Sequence, residues 1–357
     1  MSVDYADASC LLDTGSWVGH HETFRSSANL LLSPAPPIDL VRRYGGSVSH
    51  AALNPNYRTF RSPGIDGLIG YLLENRCAVV MGDPICPPEQ RDELARAFAD
   101  HCASNQWSVI HAVVTRQLLN FSQACGGGMV QFADMLVANP QRDPEAGSKG
   151  RHLRWNLNRA RRQGLTVREY HGIASPDAET ERQAIAALGS WRASRRGLQM
   201  YLGSPRLFAN RPGCRWFIAE CNDRIVGVLY MMQIDCAGCR YLIDLVFSTP
   251  DAPRHTNELM VTTVFKALRE EGEQSVSLGV GPRATLGEIH GFGRFTSSLA
   301  RFFYHLSNKM VPQHGKTVFW EKFGIVHREP LFLFFPRPWV GVREFRALLR
   351  TFNFSMA

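Results

Sequence analysis

One aspartate interrupts the otherwise apolar run RYLIDLVF, residues 240–247. A charge in a strand-like apolar run is costly unless it meets a partner. Asp244 is therefore the leading candidate for a functional carboxylate, with a structural ion pair or an outward-facing position as the plainer account. Glu258 opens the helical pattern NELMVTTVFKALREEG, where the helix dipole favours a carboxylate in any case. His290, in EIHGFG, is a candidate general base on a flexible loop. The fourth feature is KGRHLRWNLNRARRQG, residues 149–164, in which six of the first fourteen residues are Lys or Arg. At about 100° per residue on a helix, Leu153, Leu157, Ala160 and Gly164 share one side, while Arg151, Arg154, Arg161 and Arg162 share the other with Trp155. No acidic residue lies between 149 and 162 to relieve the repulsion by i,i+4 pairing. Guanidinium groups bind phosphate bidentately and Trp stacks on a base, so this face is read as a phosphate or nucleic-acid contact. The pattern alone does not separate RNA from an anionic lipid surface.

Other chemistries find less support. No Ser-His-Asp set stands out, and no Cys is singled out as a nucleophile by spacing. Cys236-Ala-Gly-Cys239 is the one CxxC and lies between two strand-like runs, so it reads as a hairpin turn rather than half of a zinc site. No metal and no cofactor are expected. Asp83, in MGDP, is read as serving the turn after its strand.

The charge is unevenly distributed. Residues 1–148 carry ten Lys and Arg against fifteen Asp and Glu, a net −5, and residues 149–357 carry thirty against seventeen, a net +13. The second half therefore calls for an acidic partner. No apolar run approaches the roughly 18 residues of a membrane span. The acidic opening MSVDYADASC is not a signal peptide. Nine cysteines without a framework spacing read as reduced thiols, which sets the expected location as cytoplasmic.

These residues must be positioned by an α/β (α+β) scaffold. Residues 1–33 look irregular, and PAPP at 34–37 marks a boundary. IDLVRRYG predicts a short helix; HAALNP, RTFRS, GLIGYLLEN, CAVVMGDP and WSVIHAVV predict strands. Between the last two, Leu94, Ala97, Phe98 and Cys102 mark one face of a helix. A first domain is expected over 34–145, closed by the polar link PQRDPEAGSKG. The second, 146–340, opens on the basic helix. It continues through LTVREY, a helix, WFIAECN and RIVGVLYMMQID joined at Asn222-Asp223, RYLIDLVFS, a helix, SVSLGVGP and a long amphipathic helix. VFWEKFG and PLFLFFPRP are read as its closing strands. A strand, a polar turn, a longer strand and a helix is the order of N-acetyltransferase-like folds, so two such domains in tandem are expected. In 341–357, Phe345, Leu348, Leu349 and Phe352 fall on one side of a helix and Arg343, Arg346 and Arg350 on another. That suits either a membrane interface over 341–354 or ordinary packing.

Two phosphate-binding patterns were weighed against this scaffold. Gly279-x-Gly281-x-x-Ala284 follows a strand but contains Pro282 and leads into no prompt helix, which argues against a dinucleotide site. Residues 253–260, PRHTNELM, occupy the turn where an acetyltransferase-like fold holds a pyrophosphate, and they contain no glycine. This argues against acyl-CoA as donor.

Four stretches in order, over about 38–337, resemble a known family. CAVVMGDPICPPE resembles the "GDP" turn of the C-terminal catalytic domain of phosphatidylglycerol lysyltransferases and related lipid aminoacyltransferases. LRWNLNRARRQGLTVREY resembles its basic helix and following strand, SVSLGVGP its "LGxxP" segment, and FWEKFG its "KEKF" segment. The opening VRRYGGSVSHAALNPNYRTF is more similar to stand-alone fungal members that aminoacylate a sterol. The resemblance implies a tandem acetyltransferase-like fold, an aminoacyl-tRNA donor, and an ester formed on a membrane-lipid hydroxyl, either the sterol (ergosterol) or phosphatidylglycerol. It implies catalytic roles for Asp244, His290 and Lys322, with Lys322 on the oxyanion or the terminal tRNA phosphate. Substrate contact would fall to Glu258, Gly279, Gly281, Pro282 and Glu321, and tRNA contact to Arg151, Arg154, Trp155, Arg161 and Arg162. Trp320 stands where the family's first Lys of KEKF is usual, which puts any role of that Lys in doubt. Two other classes stay open: a CoA-dependent N-acyltransferase, and a non-catalytic RNA- or membrane-binding module.

Overall fold

Each half of the chain builds the same unit from the same pattern: a hairpin of apolar strands, then a helix that crosses back to lay the next strand parallel. In the computed structural model, residues 35–195, 206–236, 238–310, 314–337 and 340–351 are described. The expected irregular segment 1–33 lies outside them, as does Phe352.

The first half contains α1 (Pro37–Tyr44), β1 (Arg58–Phe60), β2 (Ile69–Glu74), β3 (Cys77–Met81), α2 (Arg91–Ser104), β4 (Ser108–Val114), α3 (Leu119–Ala124) and β5 (Gly128–Ala138). Next come α4 (Arg151–Arg162), β6 (Thr166–Tyr170), α5 (Ala178–Ser194), β7 (Cys214–Cys221), β8 (Arg224–Cys236), β9 (Cys239–Ser248), α6 (Thr256–Glu270) and β10 (Val276–Pro282). The chain closes with β11 (Ile289–His290), α7 (Arg294–Met310), α8 (His314–Glu321), β12 (Ile325–Phe335) and α9 (Val342–Thr351). In the first half β2 and β3 are antiparallel and α2 carries the chain to β4, parallel to β3. In the second, β8 and β9 are antiparallel and α6 carries it to β10, parallel to β9. This is the expected α/β architecture of two acetyltransferase-like halves.

The halves share one sheet, in the order β1-β2-β3-β4-β12-β5-β10-β9-β8-β7-β6, with β11 also on β5. β12, from the end of the chain, runs antiparallel to both β4 and β5 and stitches them together. Every residue of β3, CAVVM, is buried, as expected for a strand covered on both faces. Ala78 and Val80 pack toward Leu94 and Phe98 of α2, and Val79 and Met81 toward Ala347 and Leu348 of α9. In the second half, α4, α6 and α8 cover one face, where Leu157, Phe265, Trp320 and Phe323 meet Phe217 and Leu229. On the other face Leu40 and Val41 of α1 meet Trp216, Met232 and Leu242.

Several elements differ from expectation. HAALNP is not a strand: Ser49–Leu53 form a short 3-10 helix that buries Ala51 and Ala52, because a run this short has no period to separate the two states. VFWEKFG is not a strand either. Trp320 and Phe323 lie three apart and both enter the core, which is helical spacing, so Glu321 closes α8 and Lys322 follows it. β5 has no counterpart in the sequence reading, although it pairs with β10, β11 and β12. α9 buries Glu344, Ala347, Leu348 and Thr351, so of the expected apolar side Leu348 packs inward while Phe345, and with it Val342, remains exposed. Cys236 pairs with Cys239 at the head of the β8–β9 hairpin, the turn expected there.

Candidate active site

β9 and β10 share a single registered pair, Ser277 with Leu242. Beyond it β9 continues on β8 while β10 continues on β5, so the two parallel strands part. Asp244 lies two residues past the last shared pair. On β8, Tyr230 opposes Leu245 and Met231 opposes Ile243, so Asp244 has no opposite number and forms a β-bulge. A bulge bends the strand and re-aims a side chain, and here Oδ1 of Asp244 meets Nε2 of His50 at 3.2 Å. Among the described residues, Nδ1 of His50 is buried without a hydrogen-bond partner. The short helix misread as a strand is what carries His50 to β9. Close by, the Tyr230 hydroxyl and the Cys214 thiol lie 3.1 Å apart. Burial pushes that thiol up to about 11, and the Asp244 charge adds to the effect. Burial raises the Tyr230 phenol as well, with Cys214 and then Asp244 adding to it.

β10 needs its glycines. Gly279 has φ +76°, the left-handed region that a side chain rarely adopts, and sits at the irregularity where β10 shifts register on β5. A Cβ on Gly281 would come within 2.7 Å of the buried Leu136 side chain. Pro282 ends the strand opposite Ala133. These residues shape the wall of the parted strands by backbone geometry.

β9 leads into α6, whose first turn holds a second cluster. Glu258 is buried, accepts a hydrogen bond from Nζ of Lys322 at 2.8 Å, and lies 3.3 Å from Nδ1 of His255. Burial alone would raise its carboxyl, but the Lys322 hydrogen bond and charge, with help from His255, hold it below the ordinary glutamate range. His255 takes φ +70° at the helix entry. Glu258 and Lys322, read separately from the sequence, are thus joined in a direct ion pair. Glu321 turns elsewhere and faces Arg328 at 3.7 Å. Trp320, in place of the family's lysine, is buried with Phe319 and Phe323.

His290 is not on a flexible loop but in β11, paired with Met129 of β5, because Ile289 and His290 extend along the β5 edge that β10 has left. Its Nε2 meets Glu288 at 3.1 Å, and Glu288 also binds Arg116 at 2.6 Å. Next to β10, Asp134 is buried and receives hydrogen bonds from Arg283 and Gln131, both at 2.8 Å. Asp83 does serve its turn: it accepts the backbone N–H of Thr115 at 3.0 Å, tying the end of β3 to the end of β4.

On α4 the packed side is as expected, with Leu153, Leu157 and Ala160 buried. The arginines divide. Arg154 donates to the carbonyls of Glu145 and Gly147, and Arg161 lies 3.7 Å from the Glu145 carboxylate, so both are tied to the preceding link. The acid that relieves this helix stands just ahead of it. Arg151, Arg162 and Trp155 are exposed, and the Arg159 guanidinium lies 5.9 Å from the Trp155 ring centre.

Residues 38–323 match the sequence profile of the family described as phosphatidylglycerol lysyltransferase, C-terminal. The chain belongs to that family. Among curated relatives it is similar to the lysylphosphatidylglycerol biosynthesis bifunctional protein LysX of Mycobacterium marinum, 29% identical over 61% of this chain and 21% of the relative. LysX of Mycolicibacterium gilvum is 27% identical over 69% of this chain and 24% of its own length. The chain therefore spans between a fifth and a quarter of these relatives. Two solved structures share the fold. One is L-PGS from Bacillus licheniformis, with TM-score 0.73, 19% identity, and coverage of 89% of this chain and 96% of that one. The other is the C-terminal domain of a putative lysylphosphatidylglycerol synthetase from Agrobacterium fabrum, with TM-score 0.70, 20% identity, and coverage of 89% and 94%. Sequence reasoning did not single out His50, His255 or Arg159, which the structure places beside Asp244, Glu258 and Trp155 respectively. His50 gains significance only from Asp244, far along the chain, His255 sits one helical turn from Glu258, and Arg159 fell outside the helical face first drawn.

Proposed function

We propose that this chain transfers an aminoacyl group from aminoacyl-tRNA to a hydroxyl of a membrane lipid, with lysine and phosphatidylglycerol as the preferred pair. Family membership over residues 38–323 carries this reading, and the LysX relatives are named for lysylphosphatidylglycerol. The reaction exchanges one ester for another. The lipid oxygen bonds to the aminoacyl carbonyl carbon, the bond from that carbon to the ribose oxygen breaks, and the hydroxyl proton ends on the ribose oxygen. The catalyst must assist that proton, stabilise an oxyanion and hold the ammonium of the amino acid. Asp244, held by His50 beside the parted strands, supplies the carboxylate for the ammonium. Lys322, paired with Glu258, supplies positive charge for the oxyanion or terminal phosphate. His290 stands in a different cluster, and the proton is not routed through it.

Glu258 also argues against acyl-CoA. The first turn of α6, where a pyrophosphate would use the helix field, already holds a buried carboxylate. Among the described residues no helix is long and apolar enough to cross a membrane. Lipid contact is assigned to α7, whose Phe295, Leu299 and Phe302 stand exposed at i, i+4 and i+7. The α9 helix spends its Leu348 face on the sheet.

The test mixes purified protein with tRNA carrying labelled lysine and with liposomes containing phosphatidylglycerol, ergosterol or neither. Ribonuclease-sensitive label in the extracted phosphatidylglycerol is the expected result. Label in ergosterol alone would move the acceptor to the sterol, and label in no lipid from intact charged tRNA would remove the reading.

A further inference from the structure

The proposed transfer leaves one duty without a residue: taking the proton of the attacking hydroxyl. β12 pairs with β4 only over Phe332–Phe334, and Glu329 stands three residues short of Phe332, where β12 continues on β5 alone. Glu329 thus sits beside a second parting of strands, as Asp244 sits beside the first. The ladder sets the two level. Leu242, Ser277, Val137 and His327 form one row across β9, β10, β5 and β12. Asp244 and Glu329 each lie two residues further on, with Val280 and Met135 between them. Both face the same side of the sheet. Cross-strand partners share a face, so Glu329 goes with Met135, which packs with Val48 and Ala51 of the segment that carries His50 to Asp244. The same segment reaches the first half, because a Cβ on Gly82 would lie 3.1 Å from Cγ2 of Val48 and 3.6 Å from Oγ of Ser49. Three strand spacings of about 4.8 Å put the backbones of Asp244 and Glu329 roughly 14 Å apart. Two side chains, two hydrogen bonds of about 2.8 Å and the short path from an ammonium to the oxygen attacking its carbonyl carbon fill that distance.

Glu329 is half-buried, and among the described residues its Oε2 is buried with no hydrogen-bond partner. The groups around it are Asp83 from the turn after β3, Arg91 at the start of α2 and His327 on its own strand. The Cys239 thiol at the start of β9 is lifted by burial and in part by Glu329. Burial first, and the Asp83 charge next, lift the Glu329 carboxyl above the ordinary glutamate range against the pull of His327 and Arg91. Its neighbours are engaged otherwise. Asp83 accepts the N–H of Thr115, Nε2 of His50 meets Asp244, and the Cys214 thiol keeps its proton at neutral pH. We propose that Glu329 is the general base of the transfer. This assignment rests on the reading that a lipid hydroxyl attacks an aminoacyl ester. The hydroxyl gives its proton to the Glu329 carboxylate as its oxygen bonds to the carbonyl carbon. Glu329 returns that proton to the ribose oxygen as the old ester bond breaks. A carboxyl held above its usual range suits both transfers better than a free glutamate does.

The experiment measures initial rates of lipid labelling by the full chain from acid to neutral pH, with lysyl-tRNA and phosphatidylglycerol liposomes each varied in turn. The wild-type rate is expected to fall as pH drops through the raised Glu329 value. Glu329→Gln is expected to lower kcat about 100–10,000-fold with KM for either substrate little changed, and to flatten that acid limb. Asp83→Asn keeps an acceptor for Thr115 and removes the charge, so its acid limb should move to lower pH. Equal thermal melts confirm that the variants fold. A Glu329→Gln rate close to wild type overturns the assignment. A lowered rate that keeps the wild-type acid limb overturns it too, because a purely structural carboxylate would behave so, and an acid limb unmoved in Asp83→Asn does the same. These three outcomes occur with lipid labelled by the wild type, so the transfer reading survives them. A wild type that labels no lipid from intact charged tRNA removes the transfer reading, and the base with it.

Discussion

The Glu258 side chain is 11% exposed and that of Lys322 41%, so the two ends of their 2.8 Å ion pair stand to lose different amounts when the other is removed. Lys322→Ala leaves a poorly solvated carboxylate with only His255, at 3.3 Å, to compensate it. An uncompensated buried acceptor costs about 1–3 kcal/mol. The larger values of broken buried pairs, about 3–5 kcal/mol, do not apply, because water reaches the lysine end. Glu258→Ala only returns an ammonium to solvent and should cost less than about 1 kcal/mol. The double variant should then match Glu258→Ala, which gives a coupling equal to the Lys322→Ala cost, about 1–3 kcal/mol. The pH dependence follows in sign. The Glu258 carboxyl is held below the ordinary range, so its contribution is complete above the unfolded value of about 4.3 and is lost as pH falls through the folded value. Without Lys322, burial dominates, the carboxyl rises, and the loss begins at higher pH. Urea unfolding of the four proteins at pH 7 and stepwise toward pH 4 measures all of this. Equal single costs that add in the double variant would refute the asymmetry.

Three further outcomes are expected. Burial pushes His111 down to about 4, so between its unfolded value of about 6.5 and that point only the unfolded chain takes the proton, and stability falls by roughly 3 kcal/mol as pH drops through the window; His111→Leu should remove that slope, and urea midpoints that track wild type at every pH would contradict it. Gly281→Ala should cost about 1–3 kcal/mol by overpacking Leu136, and Gly279→Ala about 1–2 kcal/mol by left-handed strain; unshifted thermal melts would show that β10 yields more easily than its contacts indicate. His50→Ala should lower the rate of lipid aminoacylation about 10–100-fold by releasing Asp244, with partial recovery in His50→Gln; an unchanged rate in a folded variant would make the pair structural.

The second-half hairpin and crossover were legible because long apolar runs were punctuated by Asn222-Asp223 and Cys236–Cys239, and both turns appear where expected. The two faces of α4 were legible for the same reason of period. β5 was not, because GGG precedes it and Gln131 and Asp134 break its apolar run, so it resembles a loop until Arg283 and Gln131 are found satisfying the aspartate. The aromatics before Lys322 resemble strand residues, and only the burial of Trp320 with Phe323 reveals the helix.

The candidate site was half legible on a single physical ground. A sequence shows where a charge is expensive, and Asp244 was marked by that expense alone; it does not show what offsets the expense. His50 with Asp244, Lys322 with Glu258 and Arg283 with Asp134 each join residues brought together only by the completed sheet or by helices packed on it. The same expense therefore marks structural and functional carboxylates alike. Asp134 has both carboxylate oxygens occupied and is 4% exposed, which leaves little of it for a substrate. Asp244 is paired with His50 through Oδ1 and stands where two strands part. The difference between a carboxylate closed into its own network and one left partly exposed beside the parted strands is what ranks Asp244 above Asp134 as the candidate, and that difference arises from the divergence of β9 and β10, a property of the sheet rather than of either strand.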